Sequence, residues 1–345
     1  MIRLTLLLLC LALPAHAQEV VRAFGPENAL TRLVLRTTTD VDILAPTVEE
    51  FLAAHPGLAI VYEQWGSNAL YQRSSDECAT GESGADIVIS SAVHQMIRLV
   101  NDRCAASWQS SFSTGLPDTL RWRDEIWGVT REPAVMVYNR SLVPPDQVPR
   151  TRFDLLDLLR PEDSRYAGRI ATYEISQSGL GYLFAYMDSQ EATTFGALME
   201  AFARSGAVAT CCSAEIIDGV QRGDYLIAYN ILGSYAVTEA LRDPTLGIVA
   251  PRDYTLVLSR ALIFPGSRVR PEAGAFLDFL LSPAGQLSLA ANNLAISADN
   301  PAINTEADAP DSARRLIPLA PALLVAMDRA TSERFLSDWR KTFAQ

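Results

Sequence analysis

Along the chain, short runs of β-branched and apolar residues alternate with stretches whose apolar positions recur every three or four residues. Runs of the first kind read as strands, and the second spacing reads as helix. Strands are expected at "RLVLRT" (32–37), "LAIVYEQW" (58–65), "ADIVISS" (85–91), "GRIATYEI" (168–175) and "YLIAYNI" (225–231). Helices are expected over 41–54, "AVHQMIRLVND" (92–102), "FDLLDLLR" (153–160), "GLGYLFAYMDS" (179–189) and "FGALMEAFARSG" (195–206). Further helices follow at "EIIDGVQRGD" (215–224), "GSYAVTEALRD" (233–243) and 271–293 with a break at Pro283, and a last one runs over 320–345. Two long stretches, "EIWGVTREPAVMVYNR" (125–140) and "LGIVAPRDYTLVLSRALIFP" (246–265), read as extended chain interrupted by proline.

Strands that alternate with helices predict an α/β fold in which mainly parallel sheets are flanked by helices. The 345 residues exceed what one compact core usually serves. The two extended stretches suit a two-strand hinge between two lobes. Lobe 1 is then expected to be discontinuous, 18–131 plus 254–345, and lobe 2 to be 132–253. The cleft between such lobes is a favoured place for a ligand.

The first residues read differently. "MIRLTLLLLCLALPAHA" has an arginine, an apolar run and Ala15-His16-Ala17 at its end, the pattern of a cleaved export signal over 1–17. A soluble, exported mature chain is expected. The net charge of −11, with no basic stripe, argues against nucleic acid and anionic membranes as partners. Of the four later cysteines, Cys78 and Cys104 could close a loop. The adjacent Cys211 and Cys212 could form a vicinal disulfide, but the preferred reading is two buried thiols packing as small apolar groups.

The candidate chemistry lies where strands end and helices begin. In open parallel sheets ligands bind beyond the carboxyl ends of the strands. Unpaired N–H groups at helix starts favour anions there. Thr37, Thr38, Thr39 and Asp40 occupy one such junction, and Ser90 and Ser91 a second. Ser176, Gln177, Ser178 and Gly179 occupy a third, and Asn230, Gly233 and Ser234 a fourth. Taken singly, each is explained by the preference of Ser, Thr, Asp and Asn for helix N-caps. Four together, two from each lobe, point to an anion cradle, with Arg131 beside the first crossing supplying charge. Trp65 and Ser67 follow a strand and could wall the cleft. His55 and His94 show no catalytic pattern, and neither a nucleophile elbow nor a metalloprotease or phosphate-loop motif is present. An enzyme is not expected, nor is a cofactor.

Several segments resemble solute-binding proteins of ABC transporters: "ADIVISSAVHQMIRLVND", "GVTREPAVMVYNRSLVP", "GDYLIAYNILGSYAV", "GIVAPRDYTLVLSRALIFP" and "AGAFLDFLLSPAGQ". The resemblance is to the type II, ferric-ion-binding-like branch, and "AISADNP" before a helical tail is similar to phosphoglycerate-transport regulatory and hexose-phosphate binding proteins. It implies a monomeric two-lobed periplasmic binding protein that closes on a solute. The implied partners are an inner-membrane ABC permease or a membrane sensor kinase. Ferric members carry an adjacent tyrosine pair after the strand matched by "YLIAYN". Here Gly233-Ser234 stand in that place, with Tyr229 and Tyr235 six positions apart. An organic anion, a phosphorylated sugar or carboxylic acid, is therefore the expected solute. Ferric iron held by Tyr229, Tyr235, Glu63 or Asp40 is the alternative.

Overall fold

The computed structural model describes residues 18–343 except 192 and 296–313. The expected export signal lies outside the described residues, as does most of "AISADNP". The strands of the first half are β1 (Gln18–Phe24), β2 (Thr31–Thr37), β3 (Leu58–Trp65), β4 (Ile87–Ser90), β5 (Ala105–Ala106), β6 (Arg121–Trp122), β7 (Ile126–Gly128) and β8 (Glu132–Asn139). Those of the second half are β9 (Ile170–Tyr173), β10 (Val208–Thr210), β11 (Ile227–Leu232), β12 (Leu246–Val249), β13 (Thr255–Leu258), β14 (Ala261–Pro265) and β15 (Arg314–Leu316). The helices are α1 (Val41–Ala53), α2 (Ser67–Thr80), α3 (Val93–Asn101), α4 (Arg152–Leu159), α5 (Gly179–Glu191) and α6 (Phe195–Ser205). They continue with α7 (Ser213–Gln221), α8 (Gly233–Arg242), α9 (Pro271–Leu281), α10 (Pro283–Ala291) and α11 (Arg329–Phe343).

Two sheets result. The first runs β1-β3-β2-β4-β14-β7-β6 with β5 on β14, and the second β10-β9-β11-β8-β13-β15 with β12 on β8. Both are mixed. Parallel pairing holds β3-β2-β4 and β10-β9-β11, the strands whose carboxyl ends carry the hydroxyl-rich junctions. The strands beside the crossings pair antiparallel: β14 on β4, and β8 on both β11 and β13. The two extended stretches link the sheets, β7 leading into β8 and β13 into β14. Their strands are almost entirely buried because apolar residues point to both faces.

The tail departs from the expected single helix. Pro321–Met327 form a 3-10 turn, and α11 starts afresh because the Asp328 carboxylate accepts the Thr331 N–H at 2.9 Å. The described residues after 254, expected in the first lobe, also do not all stay with the first sheet. Strands β13 and β15 pair within the second sheet. The chain then turns to the first lobe, where Leu319 N–H donates to the Thr119 carbonyl and the 3-10 turn packs on α3. Finally α11 returns to the second lobe and packs on α6, with Trp339 4% exposed. Phe335 stands edge-on to Tyr182 and Tyr186. The polar helix α2, without a strong apolar stripe, is absent from the sequence expectation.

Cys78 and Cys104 are disulfide-bonded, tying α2 to the turn after α3. Cys211 and Cys212 are also disulfide-bonded and are not the buried thiol pair the sequence suggested. They occupy a turn between β10 and α7, where Cys212 is exposed, so no core is available to hold them.

Candidate functional site

The junction after β2 builds one wall. Thr37 Oγ1 accepts the Thr39 N–H at 3.0 Å, and Tyr62 donates its hydroxyl to the Thr39 carbonyl at 2.7 Å. Thr38 Oγ1 accepts the Ser91 N–H at 3.0 Å and lies 3.2 Å from Ser91 Oγ, so the ends of β2 and β4 are joined. Ser90 Oγ accepts the Ala92 N–H at 3.1 Å and Ser178 Oγ the Gly181 N–H at 3.0 Å. Ser90 and Ser178 thus serve their own helix starts as acceptors.

The two lobes meet directly at these junctions. Tyr235, at the start of α8, donates its hydroxyl to Asp40 Oδ1 at 2.9 Å and accepts the Asp40 N–H at 3.2 Å. Gln64 Nε2 donates to the same carboxylate oxygen at 3.1 Å. Asp40 precedes α1 without capping it. Burial raises its pKa above 3.8, against the opposing pull of the Tyr235 hydrogen bond. Further along the cleft, the N–H of Gly179 donates to Ser67 Oγ at 2.9 Å. Asn68 Nδ2 donates to the carbonyls of Ser176 and Gln177 at 3.1 and 3.0 Å. Position 179 takes glycine because a Cβ there would come within 2.8 Å of Gln95 Nε2 and 3.0 Å of the Ala92 Cβ.

Between the crossings lies an ion pair that the sequence reading missed. Arg260 Nε and Nη2 donate to the two carboxylate oxygens of Glu132 at 2.9 and 3.2 Å. Both residues are buried, at 1% and 0% exposure. Thr130 Oγ1 donates to Glu132 at 2.7 Å, and Ser234 Oγ donates to its other oxygen. Glu132 is therefore fully satisfied. Arg260 Nη1 is buried and has no partner among the described residues. The guanidinium stands 5.9 Å from the centre of the Tyr235 ring. Burial, the largest single influence, works against its charge, but Glu132, Tyr235 and Tyr62 together outweigh it, so its pKa lies above the usual value. A sign was available: Arg260 is the one cation in the apolar run "TLVLSRALIF", and Glu132 is the acid in the other crossing. A charge in each of two buried strands needs a partner.

Other candidates lie elsewhere. The exposed Arg131 pairs its main chain with Leu294 and Ala295, on an apolar groove of about 730 Å³ lined by Leu116, Leu287 and Leu316. The charge assigned to Arg131 falls to Arg260 because alternate residues of an extended chain face opposite ways. Trp65 packs beneath Arg36 and donates its indole N–H to Glu63 at 3.2 Å. Glu63 also accepts from Arg36 at 2.7 Å. Asn230 and Tyr229 both donate to Asp188 inside the second lobe, where Asp188 also takes Arg152 Nε at 3.0 Å and the Tyr254 hydroxyl. Gly233 sits where a Cβ would lie 2.9 Å from the Pro133 carbonyl oxygen, which brings α8 onto β8.

His94, 1% exposed, stacks on Tyr182 at 5.4 Å across the lobes. Burial pushes its pKa from 6.5 down to about 3. Between those values the unfolded chain binds a proton that the folded chain does not, so stability is complete above pH 6.5 and is lost as the pH falls. Replacing His94 with Phe keeps an aromatic ring on Tyr182 and removes this linkage. Urea unfolding at pH 7 and pH 4 should show the wild type losing stability relative to the variant. An unchanged difference would mean that His94 titrates normally.

The chain matches the model of a family of bacterial extracellular solute-binding proteins over residues 83–318. A substrate-binding protein of an ABC transporter from Agrobacterium tumefaciens is 30% identical, with a TM-score of 0.85 over 94% of this chain and 98% of that one. AfuA from Actinobacillus pleuropneumoniae, solved with fructose-6-phosphate bound, is 15% identical with a TM-score of 0.69 over 92% and 99% of the two chains. Iron-bound HitA from Pseudomonas aeruginosa is 18% identical with a TM-score of 0.65 over 90% and 99%. No curated protein matches. The two-lobed α/β architecture is that of the type II periplasmic binding proteins, and the chain belongs to the bacterial extracellular solute-binding proteins of ABC transporters.

Proposed function

We propose that this is a periplasmic binding protein that captures a small organic anion, a phosphorylated sugar or carboxylic acid, between its lobes and presents it to an inner-membrane ABC permease. The observation that carries this reading is the unpartnered Nη1 of Arg260, held by Glu132 between the crossings. An Arg fixed side-on by a carboxylate still offers its end-on N–H pair to a second oxyanion. The starts of α1, α3, α5 and α8 add donor-rich helix ends from both lobes. Thr38, Ser91, Tyr235 and Ser67 line the same junctions. The moving bodies are the two sheets with their helices, and the hinge lies at 129–131 and 259–260. The solute favours the closed form because only there can it touch both lobes.

The ferric alternative has less behind it. Tyr229, Tyr235 and Glu63 belong to three separate hydrogen-bond networks, on Asp188, Asp40 and Arg36. Burial raises the pKa of both phenols, against the phenolate that iron needs. A sensor kinase would read the same closed form, and a pull-down with membrane components, with and without solute, separates that role from transport.

Calorimetry against fructose 6-phosphate, 3-phosphoglycerate, citrate and ferric citrate tests the reading. Micromolar binding of an anion, about −8 kcal/mol, is the expected result. Binding of Fe(III) alone, with the colour of an iron-tyrosinate, would overturn it.

A further inference from the structure

The Cys211–Cys212 disulfide occupies the turn between β10 and α7. Strand β10 is parallel to β9, so the turn lies on the carboxyl edge of the second sheet, where the Glu174 N–H donates to the Thr210 carbonyl at 2.8 Å. Cys212 is exposed and has a φ of +61°, a left-handed conformation that non-glycine residues avoid. The residue that follows it faces inward. The oxygen of Ser213 Oγ lies 2.6 Å from the Tyr173 hydroxyl, which accepts the Leu232 N–H at 3.3 Å. Leu232 is the last residue of β11, and Gly233, Ser234 and Tyr235 open α8 onto Glu132 and Asp40. Hydrogen bonds and short stretches of backbone thus connect an exposed disulfide to the start of α8. The Cys78–Cys104 bridge differs, because Cys104 is 8% exposed and both cysteines lie against the core.

We propose that Cys211–Cys212 is a site of thiol–disulfide exchange with an external dithiol, and that its reduction loosens the start of α8. One thiolate of the dithiol attacks the exposed Cys212 sulfur and forms a mixed disulfide, and Cys211 leaves as a thiolate that takes a proton. The second thiol of the dithiol then attacks its own sulfur in the mixed bond. The dithiol departs as a cyclic disulfide, and both protein cysteines are left as thiols. Freed from the ring, residue 212 leaves the left-handed region, and Ser213 moves away from Tyr173. The consequence for solute affinity rests on the anion-binding reading, but the exchange itself does not.

The test uses the full chain without solute, treated with dithiothreitol and followed by iodoacetamide labelling and amide hydrogen exchange. Cys211 and Cys212 should label while Cys78 and Cys104 stay protected, and exchange at Leu232 and at Ile216, whose N–H donates to the Cys212 carbonyl at 3.1 Å, should accelerate about tenfold or more. A C211S/C212G variant should keep slow exchange at both amides under reductant, because glycine holds a positive φ without the ring. C211S/C212S should exchange fast with or without reductant. Equal labelling of Cys78 and Cys104, or unchanged exchange after labelling of Cys211 and Cys212, overturns the proposal. Failure of the anion panel would leave these readouts standing and would remove only their meaning for binding.

Discussion

Replacing Arg260 with Met should cost about 3–5 kcal/mol of stability, because Glu132 is left buried without its counter-charge. In a chain of this size that is a fall of roughly 4–7 °C in Tm. The same substitution should weaken binding of any anion by about 10- to 100-fold, the worth of one charge-assisted hydrogen bond. The two effects separate in a double variant. Pairing Arg260→Met with Glu132→Gln removes the orphaned charge, so most of the stability should return while the affinity stays low. Scanning calorimetry reads the first quantity and titration calorimetry the second. Wild-type affinity in the double variant would show that the solute does not use Arg260.

The other large effect is expected at Asp188. This carboxylate, 0% exposed, accepts from Arg152, Tyr229, Tyr254 and Asn230. Asp188→Ala leaves the buried Arg152 with Asp253, at 3.2 Å and 19% exposed, as its one carboxylate partner among the described residues, and strips two phenols of their acceptor. A loss of about 3–5 kcal/mol in urea unfolding is expected. Unlike the Arg260 change, it should leave anion affinity intact in the protein that remains folded. Lost affinity would draw Asp188, and with it Asn230 and Tyr229, back into the binding site.

The contrast between these two networks explains which part of the site could be read from the chain. Junction residues were legible because strand ends and helix starts follow from local periodicity. Thr38, Ser91, Ser67, Gly179 and Ser234 do gather at the carboxyl edges of the two sheets. Which way a side chain faces was not legible. Arg131 and Asn230 stand beside the right strands yet point elsewhere, and the left-handed φ of Asn230 turns it away from its neighbours' pattern. Arg260 and Glu132 come together only when two crossings 128 residues apart pair with one another. The same holds for the fold. Most of the order of strands and helices follows from the chain, but the helix α2 and the strands β1, β10 and β15 do not. The return of α11 to the second lobe depends on Phe335 meeting Tyr182 and Tyr186 and on Phe343 meeting Phe202, aromatic contacts across distant segments.

That tail has a mechanical consequence. After β15 it visits α3 in one lobe and then α6 in the other, and the 3-10 turn is also held by the Tyr182 hydroxyl on the Ala326 carbonyl at 2.7 Å. The molecule thus carries a strap beside its two-stranded pivot. Under the proposed hinge, a jaw restrained on a second side is expected to open by a shallow twist and not by a wide yawn.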